Sequence, residues 1–233
     1  MRDPDPHAPS GARDPHRARA PLILPGRYAA AVFDMDGLLV DSEPSWAEAE
    51  GALFAARGLP FGPADIADTH GRSVQATVEL YAEHLGRPAD ALFDELLTEM
   101  RRRYATEVPL RPGARDLVLG LAGRMGLAVA SNSPAGLVDA GLRHHGLAEA
   151  IDVVVSGHEL GRSKPDPEVY RVACRELGVD PTVAIAFEDS APGVTAAKAA
   201  GLACVGIPER PAVDLSGADL VIASLADVVV EPD

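Results

Sequence analysis

Short apolar runs that end abruptly in polar residues recur along the chain, separated by stretches of helical periodicity. The first run, residues 29–33, ends in Asp34, and later runs end in Ser131 and Glu188. Apolar runs of this length are typical of strands that are buried on both faces of a parallel sheet. The predicted strands are 29–33, 126–130, 152–155, 183–187, 203–207 and 220–222.

The order of these elements predicts the fold class and the domain division. From residue 113 onward strands and helical patterns alternate, which indicates an α/β fold with a doubly wound parallel sheet. Between the first and second strands the periodicity is helical throughout. We therefore expect an inserted all-helical cap at 42–108 and a core at 28–41 and 109–233. Residues 1–27 are rich in Pro, Arg, Asp and His, and we expect them to form a disordered tail.

Composition narrows the class of protein. The 233 residues, 47% of them hydrophobic, suffice for one α/β core and its insert, and we expect a monomer. A net charge of −14 and an aromatic content of 4% argue against nucleic acid as a partner.

Cys174 and Cys204 are too few for a disulfide framework, and we expect them in the core of a cytoplasmic protein. No apolar run in the sequence is long enough to cross a bilayer, so no membrane partner is expected.

Two carboxylates, Asp34 and Asp36, stand directly after the first predicted strand, and Gly37 then allows a sharp turn. In open α/β sheets, ligands bind outside the carboxyl ends of the strands, so both acids are expected at the mouth of a crevice. Carboxylates this close repel each other unless a cation or a shared proton offsets the cost. A hard divalent ion such as Mg²⁺, which prefers oxygen ligands, fits this requirement.

The ends of the other predicted strands add groups that suit an anion. Ser131 and Asn132 follow the second strand, and Ser133 is the predicted N-cap of the next helix, a place where proteins hold phosphates. Lys164 lies in a loop between the third strand and a helix, and Glu188 and Asp189 end the fourth strand. Acids for a cation, donors for an anion and a lysine together predict a phosphate and Mg²⁺ site.

These motifs occur in the order found in the haloacid dehalogenase superfamily, which the chain resembles from residue 30 to its end. The residues that carry the resemblance are Asp34, Asp36 and Gly37, then Ser131, then Lys164, and finally Glu188 and Asp189. The helical insertion is similar to that of phosphoglycolate phosphatases, β-phosphoglucomutases and sugar phosphatases. The stretches DGLLVDSEPSW and KPDPEVY look closest to hexitol and 2-deoxyglucose-6-phosphate phosphatases.

The resemblance implies a role for each residue. Asp34 would attack phosphorus to form an aspartyl phosphate, and Asp36 would protonate the leaving oxygen and later deprotonate water. Mg²⁺ would be held by the Asp34 carboxylate, the Asp36 carbonyl and Asp189, with Glu188 as a more distant or water-bridged partner. The oxygens of the phosphate would be bound by Ser131, by the backbone at Asn132 and by Lys164.

The expected function is therefore Mg²⁺-dependent hydrolysis of small phosphorylated metabolites, of the sugar or polyol phosphate type. The cap would close over the site and choose the leaving group. Gly71, Arg72 and Ser73, between two predicted cap helices, are the candidates for contact with the substrate. Trp46, on the first cap helix, is expected to pack in the core rather than stack on a sugar.

Two other functions share this fold. A β-phosphoglucomutase-type phosphomutase usually carries a His four residues after the Ser or Thr that closes the first motif, and Trp46 stands there. This difference favours hydrolysis. A non-catalytic regulator that binds sugar phosphates would be favoured by loss of Asp34, Asp36 or Lys164, and the sequence retains all of them.

Overall fold

The main sheet of the protein has six parallel strands. The computed structural model describes residues 22–69, 72–210 and 212–232. Within them the sheet order is β4-β3-β2-β5-β6-β7, and every neighbouring pair is parallel. The strands are β1 (Leu22–Leu24), β2 (Ala30–Phe33), β3 (Gly126–Ser131), β4 (Val153–Ser156), β5 (Ala184–Glu188), β6 (Ala203–Gly206), β7 (Leu220–Val221) and β8 (Val228–Val230).

Helices cover both faces of this sheet, as expected from the predicted alternation of elements. The helices are α1 (Glu43–Ala55), α2 (Pro63–Thr69), α3 (Val74–Leu85), α4 (Ala89–Tyr104), α5 (Ala114–Leu121), α6 (Ala135–His144), α7 (Gly157–Leu160), α8 (Glu168–Glu176) and α9 (Ala191–Ala200). Short 3₁₀ helices lie at Ala148–Ala150, Pro181–Val183 and Leu225–Asp227. The prediction of a doubly wound α/β fold is confirmed.

The central strand β2 is fully buried because it lies between β3 and β5. Successive residues point to opposite faces: Ala31 and Phe33 join one apolar cluster, while Ala30 and Val32 join the other. Phe33 stacks on Phe187 of β5 with ring centroids 5.1 Å apart. Burial on both faces explains why the sequence of β2 is a continuous apolar run rather than an alternating one.

Between β2 and α5, the described residues contain the four helices α1 to α4. Ser73 is the N-cap of α3 and its side chain accepts a hydrogen bond from the amide of Ala76 at 3.3 Å. Gly86 ends the same helix in the left-handed conformation. The apolar side of α4, which includes Leu92, Leu96 and Met100, is buried against neighbouring helices. The apolar cluster on one face of the sheet continues into these helices.

The prediction of a disordered tail over residues 1–27 was wrong for its C-terminal part. Leu22–Leu24 forms β1, which pairs in parallel with β8 to make a separate two-stranded sheet. Leu24 is completely buried, so this segment contributes to the core. The strand was missed because its partner lies at the other end of the chain. The rest of the predicted tail, residues 1–21, lies outside the described residues.

Two of the compositional expectations concern features that the structure describes. Cys174 and Cys204 are both free thiols buried in the core, as predicted. Among the described residues no helix combines the length and the apolar character needed to cross a bilayer.

Candidate active site

Three neighbouring strands bring the predicted acids and donors to one edge of the sheet. Asp34 follows β2, Ser131 ends β3 and Glu188 ends β5, and these strands are adjacent and parallel. Gly37 has φ +79°, and a Cβ there would lie 2.0 Å from Asp189 Oδ2. Only glycine therefore fits where the turn after β2 approaches Asp189.

Lys164 lies at the centre of the charged cluster. Its Nζ donates to Asp34 Oδ1 at 2.5 Å and to Glu188 Oε1 at 2.6 Å, and all three side chains are nearly or fully buried. The hydroxyl of Tyr170 also donates to Glu188 Oε1, and its ring lies 5.2 Å from Lys164 Nζ. The lysine is thus held by two carboxylates and an aromatic face rather than by solvent.

Burial changes the acid strength of these groups. Burial raises the pKa of Asp34 to about 7, against the opposing effect of Lys164. Burial also raises the pKa of Asp189 well above its ordinary value, and the charge on Asp34 adds to this. Burial alone would lower the pKa of Lys164, but Asp34 and Glu188 outweigh it and raise that pKa. The pocket therefore holds more negative charge than its lysine balances.

The same acids form a group that fits a divalent cation. Asp34, Glu188 and Asp189 each offer a carboxylate oxygen, and these oxygens lie within 4.8 Å of one another. Three carboxylates against one lysine leave an excess of negative charge, which a hard cation with oxygen ligands would neutralise. Gly193 allows this crowding, because a Cβ there would lie 1.9 Å from Glu188 Oε2. The residues present therefore fit Mg²⁺.

Asp36 has a different environment, made of hydroxyl groups. Ser42 Oγ donates to its Oδ1 at 2.7 Å and Ser133 Oγ to its Oδ2 at 2.7 Å. Tyr104, from the last turn of α4, also donates to Oδ1, and Ser131 Oγ lies 3.4 Å from Oδ2. Asp34 and Asp36, two residues apart, thus have distinct surroundings: a lysine for the first and hydroxyls for the second.

The prediction that Ser133 caps the following helix was wrong. Helix α6 begins at Ala135, and the amide of Ala135 donates to the carboxylate of Glu159 at 3.1 and 3.2 Å. Ser133 lies too early to cap it, and its hydroxyl binds Asp36 instead. Its amide donates to Ser131 Oγ at 3.0 Å, which fixes the turn after β3.

Asn132 connects this turn to the loop that carries the lysine. Its Oδ1 accepts a hydrogen bond from the backbone amide of Lys164 at 2.8 Å. The amide nitrogen of the Asn132 side chain is therefore the group that can donate to a ligand.

A cavity of about 170 Å³ lies between the ends of the strands and the helices α1 to α4. The core side contributes Asp34, Asp36, Gly37, Asn132, Ser133, Lys164, Asp189, Ser190 and Pro192. Ser131 and Glu188 lie behind this surface, at 1% and 0% exposure. The helical side contributes Ser42, Glu43, Trp46, Ala47, Glu50, Ile66, Thr69, Arg72, Ser73, Val74, Thr77 and Leu96.

The predicted substrate contacts of the insertion are partly described. Arg72 and Ser73 line the cavity, while Gly71 lies outside the described residues. Arg72 Nε donates to the carbonyl of Asp68 at 2.5 Å. Trp46 packs against the core, as predicted, and it also forms part of the cavity wall.

Several residues at the site escaped sequence reasoning. Tyr104 and Tyr170 occupy apolar positions of their helices, where a tyrosine looks like ordinary core, and only the fold brings their hydroxyls to Asp36 and Glu188. Glu50, in contrast, could have been recognised from the sequence. It lies four residues from both Trp46 and Phe54, so it is an acid on the apolar face of α1.

Comparison with known proteins identifies the family. Residues 28–201 match the family model of haloacid dehalogenase-like hydrolases. The chain belongs to this family.

Two relatives are named phosphatases. The chain is 35% identical to validoxylamine A 7'-phosphate phosphatase of Streptomyces hygroscopicus subsp. limoneus, over 86% of this chain and 96% of the relative. It is 33% identical to hexitol phosphatase B of Escherichia coli (strain K12), over 90% of this chain and 98% of the relative. Together with the family, these relatives make the chain a phosphoric monoester hydrolase that acts on phosphorylated metabolites.

A solved structure shares the architecture. CbbY from Rhodobacter sphaeroides in complex with phosphate superposes with a TM-score of 0.77 and 30% identity, covering 85% of this chain and 95% of that one. A putative β-phosphoglucomutase from Thermotoga maritima superposes with a TM-score of 0.70 and 28% identity, covering 85% of this chain and 95% of that one.

Proposed function

We propose that this chain is a Mg²⁺-dependent phosphatase of small sugar or polyol phosphates that works through an aspartyl phosphate on Asp34. The observation that carries the proposal is the arrangement at the cavity. Asp34, bound to Lys164, faces the same space as Asp36, and an acidic group suited to a cation adjoins them.

Each step has a group suited to it. Asp34 attacks phosphorus, the bond to the leaving oxygen breaks, and Asp36 donates the proton that this oxygen needs. Water then attacks the aspartyl phosphate while Asp36 takes its proton, which restores both acids and releases inorganic phosphate. The hydroxyls of Ser42, Ser133 and Tyr104 orient Asp36 for both transfers.

The Mg²⁺ ion would be held by the carboxylates of Asp34 and Asp189 and by the carbonyl of Asp36, with Glu188 reached through water. When bound, it would neutralise Asp34 towards an anionic phosphate and stabilise the charge that develops in the transition state. Both oxygens of Glu188 accept hydrogen bonds, from Lys164, Tyr170 and Ser190, which supports its more distant role.

The phosphate oxygens would be bound by Lys164, Ser131, Asn132 and the backbone around them. Lys164 carries the charge for this contact, and Asn132 holds the lysine's backbone in place. Residues 42–108 would serve as the cap that closes the site, with Arg72 and Ser73, together with Gly71, near the substrate.

The sugar or polyol phosphate class is supported by the relatives and by the cavity. Hexitol phosphatase B is named for a polyol substrate. The helical side of the cavity combines polar groups with an indole, a mixture suited to hydroxyl-rich molecules. Phosphomutase activity is disfavoured, because Trp46 occupies the cavity wall where an imidazole would be needed and an indole N–H cannot accept a proton.

The test measures phosphate release from hexose and hexitol phosphates, glycerol phosphate, phosphoglycolate and β-glucose 1-phosphate, with Mg²⁺ and with EDTA. We expect Mg²⁺-dependent release from a sugar or polyol phosphate, and a loss of more than about 10⁴-fold in Asp34→Asn. The matched control is Asp139→Asn, on the exposed surface of α6, which should retain the wild-type rate.

Glucose 6-phosphate formed from β-glucose 1-phosphate without phosphate release would instead indicate a mutase. Binding of a sugar phosphate without turnover would indicate a regulator, and Asp34→Asn with the wild-type rate would refute the assigned nucleophile.

A further inference from the structure

Glu50 forms a buried polar cluster on the side of the cavity opposite the phosphate site. It lies on α1 and is 6% exposed. Tyr81 of α3 donates its hydroxyl to Glu50 Oε2 at 2.8 Å, and Thr69, at the end of α2, is 3.5 Å from the same hydroxyl. Glu50 and Thr69 both line the cavity that contains Asp34. Three different helices therefore meet at this carboxylate.

The cluster keeps the carboxylate rigid. Tyr81 is 2% exposed and its ring packs edge-on against Phe54, with centroids 4.9 Å apart and planes at 89°. A phenol has one proton to donate, and the shorter distance directs it to Glu50. A carboxylate has about four acceptor positions, of which this bond takes one. Glu50 is thus fixed as a group that can accept further hydrogen bonds.

Burial of an acid is costly, which argues that Glu50 has a use beyond packing. Burial raises its pKa to about 7, and the charged group that acts on it most strongly is another acid, Glu43. Glutamine or an apolar residue would fill the same space without this penalty. Costly polar groups of this kind concentrate where ligands bind.

Resting on the proposed phosphatase function, we propose that Glu50 is a specificity-determining residue which accepts hydrogen bonds from the hydroxyls of a neutral, polyhydroxylated leaving group. Such a leaving group supplies donors and carries no charge of its own. A carboxylate or a second phosphate on the leaving group has no proton to donate when ionised and is repelled by the same acid. The substrate class is therefore monophosphates of sugars or polyols, in preference to phosphoglycolate or sugar bisphosphates.

The experiment compares kcat/KM of the full-length enzyme for three esters: sorbitol 6-phosphate, phosphoglycolate and phenyl phosphate. Wild type should prefer sorbitol 6-phosphate to phenyl phosphate by more than tenfold. In Glu50→Gln, which keeps the size and removes the acid, this preference should fall at least tenfold, and the ratio of phosphoglycolate to phenyl phosphate should rise. Tyr81→Phe should shift the preference in the same direction by a smaller factor, because it only loosens the carboxylate.

The matched control is Glu83→Gln, an exposed glutamate on α3 two residues after Tyr81, which should keep the wild-type ratios. Because each preference is a ratio measured on one preparation, partial unfolding of a variant does not change it. Unchanged ratios in Glu50→Gln would overturn the role of Glu50 while leaving the phosphatase intact. Wild type that releases phosphate neither from these esters nor from the hexose and hexitol phosphates of the first test would overturn both proposals.

Discussion

Individual side chains at this site are distinguished by their partners rather than by their residue type. Asp34 and Asp36 are the same residue two positions apart. Asp34 accepts from the Lys164 ammonium, whereas hydroxyls from Ser42, Ser133 and Tyr104 surround Asp36. The group that binds Asp34 is therefore charged, whereas the groups that bind Asp36 are neutral. The roles proposed for the two acids rest on this difference in contacts.

Tyr104→Phe tests the importance of the hydroxyls around Asp36. Loss of one hydrogen bond to a charged group corresponds to about 1.5 kcal/mol, so kcat should fall roughly tenfold while KM changes little. Steady-state kinetics with the best substrate of the panel measures this. Tyr28→Phe removes a phenol that lies outside the cavity lining and should leave kcat unchanged. Equal kcat values for wild type and Tyr104→Phe would show that this contact does not orient Asp36.

Gly37→Ala tests the close approach of Asp189 to the turn after β2. Gly58→Ala is the matched control, because Gly58 also has positive φ, +64°, but has nothing within 4 Å of an added Cβ. The control should lower the free energy of unfolding by about 1 kcal/mol and retain activity. Gly37→Ala should lose more stability and nearly all phosphate release, since the added carbon displaces the Asp189 carboxylate. Urea unfolding and phosphate release measure the two effects, and equal behaviour of the two variants would refute the steric argument.

Among the elements, β1 shows how a short strand becomes part of the fold through a distant partner. Its three residues pair with β8, near the other end of the chain. Leu24 points into the core while Ile23 remains 45% exposed. The two faces of this strand therefore make different contributions to stability.

A pair of alanine variants tests this difference. Leu24→Ala should lower the free energy of unfolding by about 3 kcal/mol, because it removes a fully buried side chain and leaves a cavity. Ile23→Ala, at the neighbouring residue of the same strand, should lower the free energy of unfolding by well under half of that amount. Urea denaturation with a common m-value measures both. If the two variants were equally stable, β1 would not be docked as described.

At the scale of the whole molecule, the helical insertion and the core share one apolar cluster and enclose the cavity between them. The chain carries a net charge of −14, and several of its acids lie at this cavity rather than on the outer surface. The stability of the whole protein should therefore depend on pH through buried acids as well as exposed ones.

Glu50 provides a measurable part of that dependence. The groups that act on it are Tyr81, Thr69 and Glu43, and burial raises its folded-state pKa from 4.5 to about 7. The folded state therefore holds the proton more tightly than the unfolded state. The resulting stabilisation is complete below pH 4.5 and is lost as the pH rises through about 7. Between these limits the free energy of unfolding of wild type should fall by up to about 3 kcal/mol relative to that of Glu50→Gln.

Urea unfolding of both proteins at a series of pH values between 4 and 8 checks this sign. The difference in free energy of unfolding should grow in favour of the glutamine variant as the pH rises. A difference that stays constant over the range would show that Glu50 is not desolvated in the folded protein.

Much of the fold and of the core site could be predicted from the sequence, and the reason is local. The central strands are continuous apolar runs because they are buried on both faces, and the less buried outer strands β4 and β7 are short apolar runs as well. All six strands of the main sheet could therefore be identified, within a residue or two at their ends. In a parallel sheet the carboxyl ends share an edge, so Asp34, Ser131 and Glu188 could be expected to meet before any coordinates were known.

Other features depend on contacts between residues that are remote in sequence, and only the tertiary structure decided them. Tyr104 reaches Asp36 across 68 positions, Tyr81 reaches Glu50 across 31, and β1 pairs with the far end of the chain. A hydroxyl on an apolar helix face looks like core packing until the fold supplies its acceptor. The sequence by itself thus determined the edge of the sheet at which the acids and the serine meet, through local periodicity and the geometry of parallel strands. Folding alone decided which groups surround each acid and which side chains of the helical insertion line the cavity.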